Sequence, residues 1–387
     1  MLAGQKDEGR CRRLPKRQAR DGGPDRPRRD AKKADAVPEP RMAFGDRRLT
    51  SRDVAALAGV SQATVSRVLS GSDLVKESTR QAVLRALETT GYVVNVSART
   101  MRSGRTGVIG VVVTHMTNPF YPELLEALSN AIHASNHRMI LWDGRQDGEA
   151  DAASAIRERA VDSVIFTTAT PASRPLREAL EQELPVVLVN RSLRGVRCDS
   201  VTTDNLAGSR AVARYFIDGG RNYVAAIGGL RGTSTADERL QGFKSGLAGT
   251  GKGGATLVAT TSVDWSYEEG VRAFNEILES RTVPDAIFCA NDVLAFGAMD
   301  AARARGFGIP DDIWFAGYDD IAIAGWGAYD LTTIRQPLRP MAEQAVNMAL
   351  HRLAEPGRAP QRSRLTSELV VRGSTANYAS SAVSAAS

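Results

Sequence analysis

The sequence predicts an all-α helix-turn-helix head followed by an α/β domain built on parallel sheets. Helix signals follow one another closely between Leu49 and Tyr92, and Gly59 sits at a tight turn between the first two of them. From Gly107 onward, short β-rich runs alternate with amphipathic stretches such as 124–134.

In the head, Thr50 is suited to cap a first helix. Asp53, three residues on, can return the hydrogen bond, and Val54, Ala55, Leu57 and Ala58 supply an apolar side. The helix should stop at Gly59. Ser61 can cap a second helix over 62–69, with Val65, Val68 and Leu69 facing in and Gln62, Ala63, Ser66 and Arg67 facing out. Two short helices bury too little to be stable, so a third over 79–88, carrying Val83, Leu84 and Leu87, is required to close the core.

Strand candidates in the α/β part are 108–113, 138–143, 162–167, 185–190, 223–228, 285–290 and 313–319, with a further run ATLVATT at 255–261. Strands spaced by helical segments demand parallel sheets with helices on both faces, which is the doubly wound arrangement.

The run DVAALAGVSQATVSRVL (53–69), then Gly91-Tyr92, then NVSARTM (95–101), resembles the head and hinge of the LacI/GalR (lactose repressor) family of bacterial transcription regulators. The resemblance implies a second helix lying in the major groove, with Gln62, Ala63 and Arg67 against base edges and Thr64 and Ser66 closer to phosphates or flanking bases. Arg67 is the main candidate for base reading, because a guanidinium can bond guanine O6 and N7 together, whereas Ala63 offers only apolar contact to a thymine methyl. Thr50 and Ser61 would fix register on phosphates. In the family the hinge becomes helical on DNA, which implies contacts from Asn95, Ala98, Arg99 and Met101. Met101 stands where the family usually has a leucine wedge in the minor groove, and Val94 stands where it commonly has proline.

The resemblance extends from Thr50 to about Gly373. It implies a periplasmic-binding-protein-like (type I) ligand domain: two doubly wound parallel-sheet subdomains joined by three crossings, with a ligand cleft between them. Cleft positions carried over are Phe120 and Tyr121 from THMTNPFYPEL, Asn190 from VVLVNRS, Asp204 from TTDN and Arg239 flanked by Thr233, Ser234 and Thr235. Trp265, Asn291, Asp292 and Asp319 complete the set. An arginine opposite an aspartate between aromatic walls suits a polyhydroxylated ring, placed where strand ends bind ligands.

The expected boundaries are a disordered basic extension over 1–48, the helix-turn-helix domain over 49–93, a hinge over 94–106, an effector-binding domain over 107–375 and a disordered tail over 376–387. Within the effector domain, subdomain 1 is expected at about 107–203 and 335–365, and subdomain 2 at about 204–334 and 366–375.

Composition agrees with this layout. With 387 residues, 42% of them hydrophobic, the chain can bury a sizeable core. The formal charge of +6 is uneven: +7 over 1–48, +4 over 49–106 and −5 over the remainder, so positive charge gathers where DNA would be. The first 40 or so residues lack periodicity, and Met42 is where a family member would be expected to start, so the preceding segment reads as an over-extended translation start, with a basic arm that adds nonspecific DNA affinity as the alternative. No apolar signal region follows its arginines and no 18-residue apolar run exists, which points to the cytosol and no membrane partner. Cys11, Cys198 and Cys289 are odd in number and far apart, and the histidines lack ligand spacing, so neither disulfide, metal nor other cofactor is expected.

Two other function classes fit the sequence less well. A transporter's solute-binding protein shares the fold but needs a secretory signal and has no use for the head. A nucleotide-dependent enzyme would have to use the glycines at 246–254, but Gly253 stands where a phosphate loop needs Ser or Thr, and the motif follows a helix instead of a strand. The sequence therefore reads as a non-enzymatic repressor. It would bind a near-palindromic double-stranded operator as a homodimer, under control of a small-molecule effector, a sugar or sugar derivative with a purine as alternative. The tail after Gly373 has no leucine heptads, so a dimer is expected and not a tetramer.

Overall fold

The computed structural model describes residues 49–69, 72–92, 104–168, 170, 172–248 and 254–375. The chain divides into two compact units between Val93 and Val94.

The first unit holds α1 (Ser51–Ala58), α2 (Gln62–Leu69) and α3 (Glu77–Thr90). Val54, Ala55, Val65, Val68, Val83 and Ala86 form its buried cluster. The Asp53 carboxylate accepts from both the amide and the hydroxyl of Thr50 at 2.7 Å, and Gly59 ends α1 at φ 63°, a left-handed conformation that glycine adopts without strain. Ser61 Oγ accepts from the Thr64 amide at 3.1 Å and so starts α2. Helix α3 is longer than the expected 79–88 because its left-handed cap is Gly91. Leu84, expected inside, is exposed; Val83 and Ala86 take the inner face, with Leu87 half-buried against them.

The second unit begins with β1 (Val108–Val113), α4 (Phe120–Ala134), β2 (Arg138–Asp143), α5 (Gln146–Arg157), β3 (Ser163–Phe166), α6 (Arg174–Glu181), β4 (Val186–Val189) and β5 (Asp199–Thr203). It continues with α7 (Asn205–Asp218), β6 (Tyr223–Gly228), α8 (Ser234–Ala248), β7 (Thr256–Ser262), α9 (Tyr267–Leu278), β8 (Ala286–Cys289), α10 (Asp292–Ala304) and β9 (Trp314–Ala316). After a 3₁₀ turn at Ala322–Gly325 come β10 (Thr333–Arg335), α11 (Leu338–Ala354), β11 (Arg362–Leu365) and β12 (Glu368–Val370).

Two parallel sheets result, ordered β11-β5-β4-β3-β1-β2 and β7-β6-β8-β9. Strand β1 is apolar at every position except Gly110 because both its faces are covered. Ile109, Val111 and Val113 join the core cluster that contains Leu124 and Leu128 of α4, while Val108 and Val112 join the one containing Ile156 of α5. In the second sheet Ala225 and Ile227 share a cluster with Phe274 of α9, and Val224 and Ala226 share one with Phe216 of α7 and Phe243 of α8.

The chain passes between the sheets three times: at Asp204, between β10 and α11, and between β11 and β12. At these passages β10 and β12 pair antiparallel, with Ile334 opposite Leu369. Strands β5, β10, β11 and β12 were absent from the sequence reading. Strand β5 is DSVTT, polar by composition yet buried throughout, because Asp199 is held by Arg352 at 2.9 Å and the strand lies between two neighbours.

Candidate functional site

On the head, Gln62, Ala63 and Arg67 are exposed along α2, while Thr64 and Ser66 are half-buried. Several of the polar groups already have local partners. Gln62 donates to Ser51 Oγ at 2.8 Å, and the Ser61 and Thr64 hydroxyls lie 2.9 Å apart. These bonds hold the side chains in place and would be exchanged, not created, on meeting phosphates or bases. Asn95, Ala98, Arg99 and Met101 lie outside the described residues.

In the α/β unit one cavity opens between the two sheets, against the C-terminal ends of their strands. It encloses about 340 Å³, part of it open to solvent, and is lined by His115, Asn118, Phe120, Tyr121, Asn190, Arg191, Thr235, Arg239, Trp265, Asn291 and Asp319. Residues His115, Asn190 and Asp319 follow β1, β4 and β9, and all three hold positive φ (59°, 71° and 120°), which side chains other than glycine seldom adopt.

Arg239 anchors the floor. Its guanidinium donates to Asn205 at 3.0 Å and to the Ala290 carbonyl at 2.7 Å, pairs with Asp319 at 3.0 Å and lies 3.7 Å over the Tyr318 ring. Asp319 also accepts from Gln336 at 2.7 Å. Burial pushes the Asp319 carboxyl up to about 6, against the downward pull of Arg239 and Gln336. Burial and the charge of Arg191 hold the His115 imidazole below its ordinary value, hence neutral at pH 7.

Four buried polar atoms of the lining have no hydrogen-bond partner: Asn190 Oδ1, Arg191 Nε, Trp265 Nε1 and Asn291 Nδ2. Buried polar groups are seldom left so, and their convergence on one space marks where a ligand's polar atoms belong.

Of the expected cleft residues, the cavity brings together Phe120, Tyr121, Asn190, Thr235, Arg239, Trp265, Asn291 and Asp319. Phe120 and Tyr121 are buried beneath it in an edge-to-face pair instead of standing at its mouth. Asp204, Thr233, Ser234 and Asp292 do not line it, each for a local reason. Asp204 caps α7 by accepting from the Ala207 amide at 3.0 Å, and the Thr233 hydroxyl donates to the Leu230 carbonyl at 2.8 Å. Ser234 Oγ accepts from the Ser192 amide at 3.0 Å, tying one subdomain to the other. Asp292 is wholly buried, receiving the Thr333 hydroxyl and the Ile321 amide, and Gly317 passes so close that a Cβ there would sit 2.3 Å from its oxygen.

His115, Asn118 and Arg191 were missed, although they lie in the same two strand-end segments that supplied Phe120 and Asn190. Among the described residues no group of three or more His, Cys, Asp or Glu side chains is placed to hold a metal ion, and no helix is long and apolar enough to cross a membrane.

Comparison with known proteins decides what this pairing of head and cleft is. Residues 50–95 match the model for bacterial regulatory proteins of the lacI family, and residues 213–375 match a periplasmic binding protein-like domain. The transcriptional regulator CelR of Thermobifida fusca is 33% identical over 339 residues, covering 85% of this chain and 98% of CelR. The chain belongs to the lacI family. As a lacI-family member it is a DNA-binding transcriptional regulator and not an enzyme. The transcriptional repressor PurR of Photobacterium profundum is 29% identical over 84% of this chain and 98% of its own length. Among solved structures, that of a CelR–cellobiose complex matches with a TM-score of 0.65 at 30% identity, covering 84% of this chain and 100% of that one. Two sheets with three passages between them are thus the ligand-binding architecture of the family.

Proposed function

We propose that this lacI-family regulator is a repressor of a carbohydrate uptake or catabolism operon, and that a sugar or sugar derivative in the cleft controls its affinity for a near-palindromic operator. The observation that carries the reading is the cavity at the strand ends, where the Arg239–Asp319 pair meets four unpartnered polar atoms and the Trp265 ring. A ring bearing several hydroxyls satisfies such groups in both directions, and an indole face packs on its C–H side. The cellobiose bound to the relative CelR supports the same class. A purine is the second reading, favoured by the Trp265 ring in the lining and by the likeness to PurR.

The DNA-reading residues are Thr50, Ser61, Gln62, Ala63, Thr64, Ser66 and Arg67, with Asn95, Ala98, Arg99 and Met101 acting from the hinge. The chain works as a homodimer joined through its ligand domains, mainly the first subdomain. In support, β2 at the edge of the first sheet exposes Ile140 and Leu141, apolar side chains on a strand with one open side. A dimeric mass in sedimentation is expected, and a tetrameric one would count against it.

Effector control requires that the ligand favour one relative arrangement of the subdomains over the other. The ties available to such a switch are the Ser192–Ser234 bond, the Ala322 amide on Glu123 at 2.9 Å, and Arg364 on Glu238 at 3.3 Å. Selection of fragmented genomic DNA by the purified chain near physiological salt tests the reading, since low salt would report charge alone. One short palindrome should be enriched, and its retention should change when candidate sugars are added. Enrichment of no sequence, with or without a metabolite extract, would refute it.

A further inference from the structure

We infer that the effector carries an oxyanion, a carboxylate or a phosphate attached to a sugar-sized ring, and that Arg191 receives it. The inference rests on the sugar-derivative reading above and adds a charge to it.

The two arginines of the cavity are in opposite situations. The charge of Arg239 is met by Asp319, and its Nε and one terminal nitrogen are taken up by Asn205, Asp319 and the Ala290 carbonyl. Arg191, at the end of β4, is only 8% exposed, and no ion pair reaches it among the described residues. Its Nε has no hydrogen-bond partner. The side chain it does touch is the Tyr121 hydroxyl, and burial raises that phenol above its ordinary value, so the contact brings no negative charge. A guanidinium taken out of water without a counter-charge is among the more costly features a fold can keep, and the cost is relieved when an anion arrives.

The rest of the cavity does not supply that charge. Asp319 is its one lining carboxylate and is already committed to Arg239, while His115 is neutral. Outside the lining, Asp143 is paired with Arg145 at 2.7 Å, and Asp264 accepts from the Trp265 amide at 2.8 Å and forms no ion pair with Arg191. The ionised lining therefore carries one excess positive charge. Its unpartnered atoms lean the same way: Arg191 Nε, Trp265 Nε1 and Asn291 Nδ2 are donors, against the single acceptor Asn190 Oδ1. The Asn291 assignment is fixed by its Oδ1, which accepts from the Leu294 amide at 2.8 Å. Neutral hydroxyls can engage the donors, but only an oxyanion also neutralises the guanidinium.

Titration calorimetry on the full chain at neutral pH and physiological salt tests this, using neutral hexoses and cellobiose, the matching hexuronates, hexose 6-phosphates and inorganic phosphate. At least one acidic series should bind tenfold or more tighter than its neutral parent. Binding confined to hexuronates would identify a carboxylate, and binding confined to the esters, with competition by inorganic phosphate, would identify a phosphate. Arg191→Gln should abolish the preference, so that acidic and neutral ligands bind alike, and Arg191→Lys should keep part of it. Melting curves confirm that each variant is folded. Neutral sugars binding as tightly as acidic ones, or a preference that survives Arg191→Gln, would overturn the inference and leave the sugar reading standing. Binding of neither series would remove both.

Discussion

The side-chain amide of Gln336 donates to the Asp319 carboxylate across 2.7 Å, and its carbonyl accepts from the Thr203 hydroxyl at 2.6 Å. Gln336 lies on the passage between β10 and α11, Thr203 ends β5 of the first sheet, and Asp319 holds Arg239 in the cavity. One buried amide thus joins two of the three passages to the Arg239–Asp319 charge pair of the cavity.

Replacing this amide is expected to be costly. Gln336→Leu leaves the Thr203 hydroxyl and one Asp319 contact unmade, a loss of about 1–3 kcal/mol in urea unfolding. Gln336→Glu should be worse at pH 8, because a second carboxylate then faces Asp319. With Asp319 pushed up to about 6, the excess penalty of the Glu variant should shrink as pH falls below that value. A Glu variant as stable as the Leu variant at pH 8 would show that the two side chains do not meet.

Asp292 offers a second pH signature. Burial, reinforced by the charge of Asp319, raises its carboxyl well above the ordinary 3.8. The folded chain therefore holds this proton more tightly than the unfolded one, and stability from this group falls as pH rises from about 4 toward the folded value. Asp292→Asn keeps the shape and removes the charge. It should flatten that part of the stability profile and match or exceed the native chain at pH 8, whereas an unchanged slope would place the titration elsewhere.

Most of the architecture was legible because burial on both faces writes itself into sequence as apolar runs. The six residues of β1 and of β6 were bounded correctly from sequence for that reason. What was not legible is polar burial. DSVTT has no apolar run, yet forms the buried β5, and the equally polar RSRL forms the half-exposed β11 beside it, because Arg352 holds Asp199 and the Thr202 hydroxyl reaches the Ser363 carbonyl, contacts made across more than 150 residues of chain. The same limit governs the cleft. Family position brought in Arg239 and Asp319, but nothing in the sequence singled out Arg191 beside Asn190, and Asp292 looked like a ligand contact when it is a buried support. Side-chain direction separates these cases, and the sequence carries only spacing.

Gly229 is predicted to control Trp265. A Cβ built on Gly229 would lie 2.1 Å from the indole ring, so Gly229→Ala must push the ring from its place in the cavity wall. The backbone there is not left-handed, so the chain should fold with modest loss, while effector affinity falls tenfold or more and the tryptophan emission shifts. Gly297→Ala makes the contrast. Its Cβ would meet the Tyr267 carbonyl at 2.0 Å, and Gly270 opposes Leu294 in the same way, so α9 and α10 would be forced apart at a cost of about 1–3 kcal/mol or more. If Gly229→Ala binds effector normally, the ring does not help to form the site.

Arg67 should separate reading from mere attraction. It is exposed on α2 between Val65 and Val68, which are buried and fix its direction. An arginine bonding guanine O6 and N7 contributes about 1–3 kcal/mol of discrimination, whereas one bonding phosphate contributes affinity without preference. Arg67→Ala, measured by fluorescence anisotropy at fixed salt on the selected operator and on versions altered one base pair at a time, should lose affinity for the intact operator. It should also become indifferent to one particular base pair, with little change in binding to unrelated DNA. An equal loss on all sequences, with a shallower salt dependence, would instead place Arg67 on the backbone and move base reading to Gln62 and its neighbours.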